Sequence, residues 1–146
     1  MSQLKWDERF LGLARHIAAW SKDPSTKTGA VIVRPDRTIV SLGYNGFPMG
    51  MKDDSELYDN REVKYSRVVH CEINAILFAK ESLNGCTLYT WPFISCDRCA
   101  VQVIQAKIVR CVAPWPTTDQ AARWGDSFIR SREFFYEAGV TVHEIQ

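Results

Sequence analysis

The chain has 146 residues, 46% of them hydrophobic, and a formal charge of +1, the make-up of one globular domain around a single core. Its 18 basic and 17 acidic residues nearly balance, which argues against a nucleic-acid binder, since those carry a basic excess. No stretch reaches the roughly 18 apolar residues of a membrane span and no signal-peptide core opens the sequence, so a cytoplasmic protein without a membrane partner is expected.

In chain order, Trp6, Phe10, Leu13, Ile17 and Trp20 recur at spacings of three and four, which predicts an amphipathic helix with these side chains inward. Ser21-Lys22-Asp23-Pro24-Ser25 ends it with loop chemistry. Gly29–Val33 and Thr38–Leu42 are β-rich runs joined by Arg34-Pro35-Asp36-Arg37, the pattern of an antiparallel hairpin. Residues 43–67 read as one long charged loop, of a length usual for functional or flexible segments. A helix is expected over His70–Lys80, a strand over Cys86–Thr90, a helix over Cys96–Ala106 and a strand over Val109–Ala113. Thr118-Asp119 can cap a helix reaching Ala138, Gly139 stops it, and Val140–Ile145 closes as a strand. Strands alternating with helices imply parallel neighbours, right-handed crossovers and helices on both faces. The expected fold is therefore a three-layer α/β/α domain with a five-stranded mixed sheet, one domain over residues 1–146.

The five cysteines are Cys71, Cys86, Cys96, Cys99 and Cys111. An odd number without a secretory signal argues against a disulfide framework and directs attention to metal binding or catalysis. Of the three histidines, His16 lies one position off the inward stripe and His143 alternates in the last strand, so both read as structural or surface residues. His70 differs, because it opens a helix as His70-Cys71-Glu72. Cys96-Asp97-Arg98-Cys99 opens another helix 26 residues later. Cys-x-x-Cys at a helix start points both sulfurs one way, and the helix N-terminus favours thiolate. With His70 the two sulfurs make three ligands of suitable softness for zinc, leaving the fourth position open as in catalytic sites. The alternatives are a redox pair or half of a structural zinc ribbon. A closed structural site needs a fourth ligand. Cys71 adjoins a ligand on one helix, where neighbours diverge by about 100°, while Cys86 and Cys111 sit among apolar strand residues as small core filler. Glu72 is placed to move protons beside a zinc-bound water, whose pKa falls from about 15.7 to about 7. Alone, it would read as an acid favouring a helix start.

His-x-Glu followed by Cys-x-x-Cys resembles the signature of zinc-dependent nucleobase deaminases. More closely, most of the chain resembles the deoxycytidylate (dCMP) deaminase family. The segments that carry this are Ser21–Ala30, Gly43-Tyr-Asn-Gly-Phe-Pro48, Lys64-Tyr65 leading to His70-Cys-Glu-Ile-Asn-Ala-Ile76, and Cys96-Asp-Arg-Cys99. The resemblance implies a cytidine-deaminase-like fold and zinc-dependent hydrolysis of dCMP to dUMP and ammonia, a step in thymidine nucleotide supply. Zinc would be held by His70, Cys96 and Cys99, with Glu72 as the catalytic proton carrier. Asn45 would contact the deoxyribose, and Ser21, Lys22 and Lys27 would lie near the 5′-phosphate. Tyr65 is a candidate to stack on the base, Cys71 to bind it through the backbone N–H, and Ser95 to shape the pocket wall. Family members are oligomers, so a homo-oligomer, trimer or hexamer, is expected. Many are activated by dCTP and inhibited by dTTP with Mg²⁺, for which the long loop is a natural place.

The same residues have plainer readings. Asn45 between two glycines is good turn chemistry, Lys22 and Lys27 suit a solvated surface, and Tyr65 can pack under the loop. Asp53 and Asp54 read as a solvated loop face rather than a metal site. Two residues depart from the family pattern: Ser95 stands where proline usually precedes the first cysteine, and Cys71 replaces the usual alanine. Competing functions are deamination of dCTP or of another base or carrier, and a non-catalytic structural zinc module. Arg123-Trp124 and Trp115-Pro116 suit a subunit contact or core packing equally.

Overall fold

The computed structural model describes residues 1–146 and runs α1 (Gln3–Ala18), β1 (Gly29–Val33), β2 (Ile39–Tyr44), α2 (Ser55–Asp59), α3 (Arg61–Arg67), α4 (Cys71–Ala79), β3 (Thr87–Trp91), α5 (Asp97–Gln105), β4 (Arg110–Pro114), α6 (Thr118–Glu137) and β5 (Thr141–Ile145). The five strands form one sheet in the order β2-β1-β3-β4-β5. β1 pairs antiparallel with both β2 and β3, and β3, β4 and β5 run parallel. The mixed sheet and three layers are those read from the sequence.

Each layer follows from which side chains want water excluded. α1 buries Phe10, Leu11, Ala14, Ile17 and Ala18 and meets Val31, Val33, Tyr89 and Val112 on one sheet face. Trp20 was expected on that stripe and is 56% exposed, because the helix ends at Ala18 and the helical angle is lost before it. The opposite face, with Ala30, Ile32, Leu88, Cys111 and Ala113, is covered by α4, α5 and α6 through residues such as Ala75, Val103, Phe128 and Phe135. All five residues of β1 are buried, as a strand covered on both faces requires. Two glycines permit the close approach of helix to strand. A Cβ on Gly29 would lie 2.1 Å from the Ala14 carbonyl oxygen in α1, and one on Gly43 would lie 2.6 Å from that of Cys71 in α4.

One charge cluster sits under α1. Asp7 is fully buried and accepts from Tyr89 Oη at 2.7 Å, from the two Arg110 Nη atoms at 2.9 and 2.6 Å, and from Gln3 Nε2 at 2.9 Å. Burial pushes the Asp7 carboxyl up, but the hydrogen bonds from Arg110, Tyr89 and Gln3 outweigh it and hold the group below the usual aspartate value.

The segment 43–67, expected as a loop, carries α2 and α3 instead. The Asn60 side chain accepts from Val63 N at 3.2 Å and starts α3. Tyr58 stacks on Phe47 with ring centroids 4.0 Å apart, donates to Asp53 and accepts from the Phe47 N–H. Such short helices have no room for an apolar stripe, so periodicity cannot reveal them. α6 starts at a capping box formed by Thr117 and Gln120, one residue before the expected cap. All five cysteines are free.

Candidate active site

Two helix starts converge on one cavity. His70 is the N-cap residue of α4 and Cys96 that of α5, both in extended backbone conformation, so each side chain projects beside the free N–H groups of the first turn. His70 Nδ1 lies 3.2 Å from Cys99 Sγ and 3.5 Å from Cys96 Sγ. The three ligand atoms all lie within 4.8 Å of one another. A tetrahedral zinc with Zn–N near 2.0 Å and Zn–S near 2.3 Å sets nitrogen and sulfur about 3.5 Å apart, so both the spacing and the soft donor set fit that ion. Hydrogen bonding to Cys96 raises the His70 imidazole to about 9. The Cys99 thiol, and after it His70, brings Cys96 down to about 5, and the same Cys96 contact pushes Cys99 up. Packed this closely, the groups share protons that a divalent cation would displace.

Beside the cluster is a cavity of about 390 Å³. Glu72, only 5% exposed, lines it together with His70, Cys71 and Cys96. The Cys71 thiol donates to Glu72 Oε1 at 3.1 Å, and burial keeps that thiol protonated. Trp91, Phe93, Trp124 and Phe128 form an apolar wall, with Phe93 5.1 Å from both Trp124 and Phe128 by ring centroids. Tyr65 of α3 and Val68 just after it also line the cavity.

Asn45 also lines the cavity. Its Nδ2 donates to Thr26 O at 2.9 Å and to Asp23 Oδ2 at 3.3 Å, while Oδ1 accepts from Thr28 N at 2.8 Å. Both amide protons are therefore used within the protein, and one Oδ1 lone pair remains for a ligand hydroxyl. Two cationic side chains reach the cavity. Lys64 is paired with Asp23 at 2.8 Å, whereas exposed Arg123 has no carboxylate partner and lies over the Trp124 ring at 4.4 Å.

Ser21, Lys22, Lys27 and Ser95 lie outside the cavity lining. Ser21 is buried and donates to the Asn45 carbonyl at 2.9 Å. Lys22 pairs with Asp53 at 2.9 Å on the surface, and Lys27 donates to the Ser21 carbonyl. The Ser95 hydroxyl is buried without a hydrogen-bond partner, while its carbonyl accepts from Ser131 at 2.8 Å. Asp53 is occupied by Tyr58 and Lys22. Sequence reasoning assigned no ligand role to Arg123, Trp124, Ser127 and Phe128, which α6 delivers to the cavity; no motif marks them. Trp115 is 49% exposed beneath the Arg132 guanidinium, 4.9 Å from its ring.

The family model for the cytidine and deoxycytidylate deaminase zinc-binding region matches residues 4–114. An uncharacterized deaminase of Aliivibrio fischeri is 45% identical over 138 residues, covering 94% of this chain and 92% of its own. Deoxycytidylate deaminase of Homo sapiens is 35% identical over 144 residues, covering 94% of this chain and 78% of its own. In fold, the chain matches the crystal structure of dCMP deaminase from cyanophage S-TIM5 in complex with dCMP and dUMP. That match has a TM-score of 0.77 and 22% identity, over 99% of this chain and 100% of the other.

Proposed function

The chain belongs to the cytidine and deoxycytidylate deaminase zinc-binding family, and from that membership we propose that it hydrolyses dCMP to dUMP and ammonia as a single deaminase domain over residues 1–146. One observation carries the reading: the buried Glu72 carboxylate shares a cavity with the His70, Cys96 and Cys99 cluster and with Arg123, a cation with no carboxylate partner.

His70, Cys96 and Cys99 hold zinc, which when bound supplies a nucleophilic water at neutral pH. Glu72 takes up the two protons of the attacking water in turn and passes one to ring N3 and the other to the departing amine, work suited to a carboxylate shielded from bulk water. The Cys71 thiol, bonded to Oε1, leaves Oε2 as the freer oxygen for that transfer. The unpaired N–H groups at the start of α4, those of Cys71 and Glu72, suit the cytosine carbonyl. Trp91, Phe93, Trp124 and Tyr65 sandwich the ring and exclude water. Asn45 Oδ1 accepts from a deoxyribose hydroxyl. Arg123, with the nearby Ser25 and Thr26, holds the 5′-phosphate, the part first sought in Ser21, Lys22 and Lys27. The protein works in the cytoplasm as a homo-oligomer, with Mg²⁺ and a regulatory nucleotide as its effectors.

A second substrate, dCTP, has one observation in its favour. A cavity of about 280 Å³ adjoins the first, sharing Ser25, Lys64, Tyr65 and Arg123 and adding Arg61, room and charge for further phosphates. Ammonia release from dCMP, dCTP, deoxycytidine and cytidine monophosphate by zinc-loaded protein decides between them. We expect dCMP to turn over fastest and Glu72→Gln to lose at least about 10³-fold in kcat with zinc retained. Full activity of Glu72→Gln overturns the enzyme reading in favour of a structural zinc module, and silence on all four substrates, with and without Mg²⁺ and dCTP as activator, overturns the dCMP reading in favour of that module or of a non-cytosine base.

A further inference from the structure

α6 meets the Cys96–Cys99 turn along one stripe. Ser131, fully buried, donates its hydroxyl to the carbonyl of Ser95, the residue before Cys96, at 2.8 Å. One turn earlier, Ser127 donates to Asp97 Oδ1 at 2.7 Å and accepts from the Asp97 N–H at 3.0 Å. Arg130 Nε completes the set, 3.0 Å from Asp97 Oδ2. The three residues stand at i, i+3 and i+4, so one helix face carries them all. Their partners, Ser95 and Asp97, flank Cys96 in sequence, and none of the three touches a sulfur.

The electrostatics call for such a brace. Cys96 and Cys99 must both be thiolates to bind zinc, and Asp97 puts a carboxylate between them. The first turn of α5 and the Arg98 side chain favour negative charge, but until zinc is bound two thiolates and a carboxylate within four residues still repel one another. Arg130 and Ser127 engage both oxygens of Asp97 and hold that carboxylate on the α6 side.

We propose that Ser127, Arg130 and Ser131 are positioning residues that fix the Cys96–Cys99 turn at zinc-binding spacing. The proposal rests on the zinc reading of the cluster given above. α6 lies beyond residues 4–114, the segment the family model matches. The same helix carries Arg123 and Trp124 into the cavity.

The test is zinc affinity of the full-length protein, read by competition with a chromogenic chelator, alongside the melting temperature. Arg130→Gln with Ser131→Ala is expected to bind zinc about 10- to 100-fold more weakly than wild type, the range for lost outer-shell partners. Ser127→Thr, which keeps the hydroxyl, is expected to stay close to wild type. Arg132→Ala serves as the structural comparison. It sits on the same helix but bonds Glu144 of β5 at 2.7 and 2.9 Å, so it should lower the melting temperature and leave zinc affinity unchanged. Wild-type affinity in the double variant, or an equal loss in Arg132→Ala, overturns the proposal. Wild-type protein that takes up no zinc overturns the zinc reading itself, a result distinct from either.

Discussion

In the proposed reading, Asn45 and Arg123 divide recognition of the nucleotide between a spent group and a free one. Asn45 commits both amide protons and one lone pair to the loop 23–28, so its contact with substrate is set by that loop's shape. Replacing it with Ala removes the ligand acceptor and orphans the Thr28 N–H. A loss of about 1–3 kcal/mol, roughly 10- to 100-fold in kcat/KM for dCMP, is expected in steady-state assays. Arg123 is stacked on Trp124 and free of carboxylates, so its guanidinium is oriented but not neutralised. A charge-assisted hydrogen bond contributes about 1.5–3 kcal/mol, and Arg123→Gln should cut the preference for dCMP over deoxycytidine by about 10- to 100-fold. An unchanged ratio of kcat/KM for the two substrates would move the phosphate elsewhere.

At the level of elements, glycine and buried charge decide how helices sit. α4 lies so close to β2 that a Cβ on Gly43 would be 2.6 Å from the Cys71 carbonyl and 2.7 Å from Ala75 N. Gly43→Ala must push the start of α4 outward, taking Glu72 and His70 with it. A stability loss of about 1–3 kcal/mol together with reduced kcat is expected from chemical denaturation and assay. The Asp7–Arg110–Tyr89 cluster fastens α1 to the sheet, and Asp7→Ala leaves Arg110 half-buried and unpaired, at a cost of about 3–5 kcal/mol. Because the folded Asp7 pKa is depressed, its contribution is complete above the unfolded value of about 3.9 and is lost as pH falls through the folded value. Acid unfolding of Asp7→Asn should therefore be less steep than that of wild type below about pH 4.

These elements were legible to different degrees, for physical reasons. The starts of α4 and α5 were readable because metal-ligand spacing and helix-start chemistry coincide there. α1 was readable from its stripe, except at Trp20, beyond the last helical turn. α2 and α3 were not, since five- and seven-residue helices are made by a capping Asn60 and a stacked Tyr58 rather than by periodicity. Ser21, Lys22 and Lys27 belong to a motif that surrounds Asn45, and here they build the loop while Arg123 faces the cavity. That exchange depends on where α6 places Arg123, 78 residues after Asn45, a distance no local pattern spans.

On the scale of the whole molecule, apolar surface remains uncovered on the side of β2 and α4. Leu42 and Tyr44 of the edge strand, on its α1 side, and Leu77 and Phe78 of α4, on the other, are 36–63% exposed, apolar surface flanking one sheet edge, of the kind that marks interaction sites. Light scattering is expected to give a multiple of 16.7 kDa, and Phe78→Glu to reduce it; a monomeric wild type would sink the oligomer. No helix is long and apolar enough to cross a membrane.

The brace on the Cys96–Cys99 turn also has a meaning in time. A ribosome releases the chain from its amino end, so the two thiols emerge before Ser127, Arg130 and Ser131 leave the exit tunnel to hold them. At roughly 5–20 residues per second, a few seconds separate the thiols from their support. During that interval the pair is a loose dithiol open to oxidation. Synthesis is thus a stage at which this pair meets oxidants without the brace of α6.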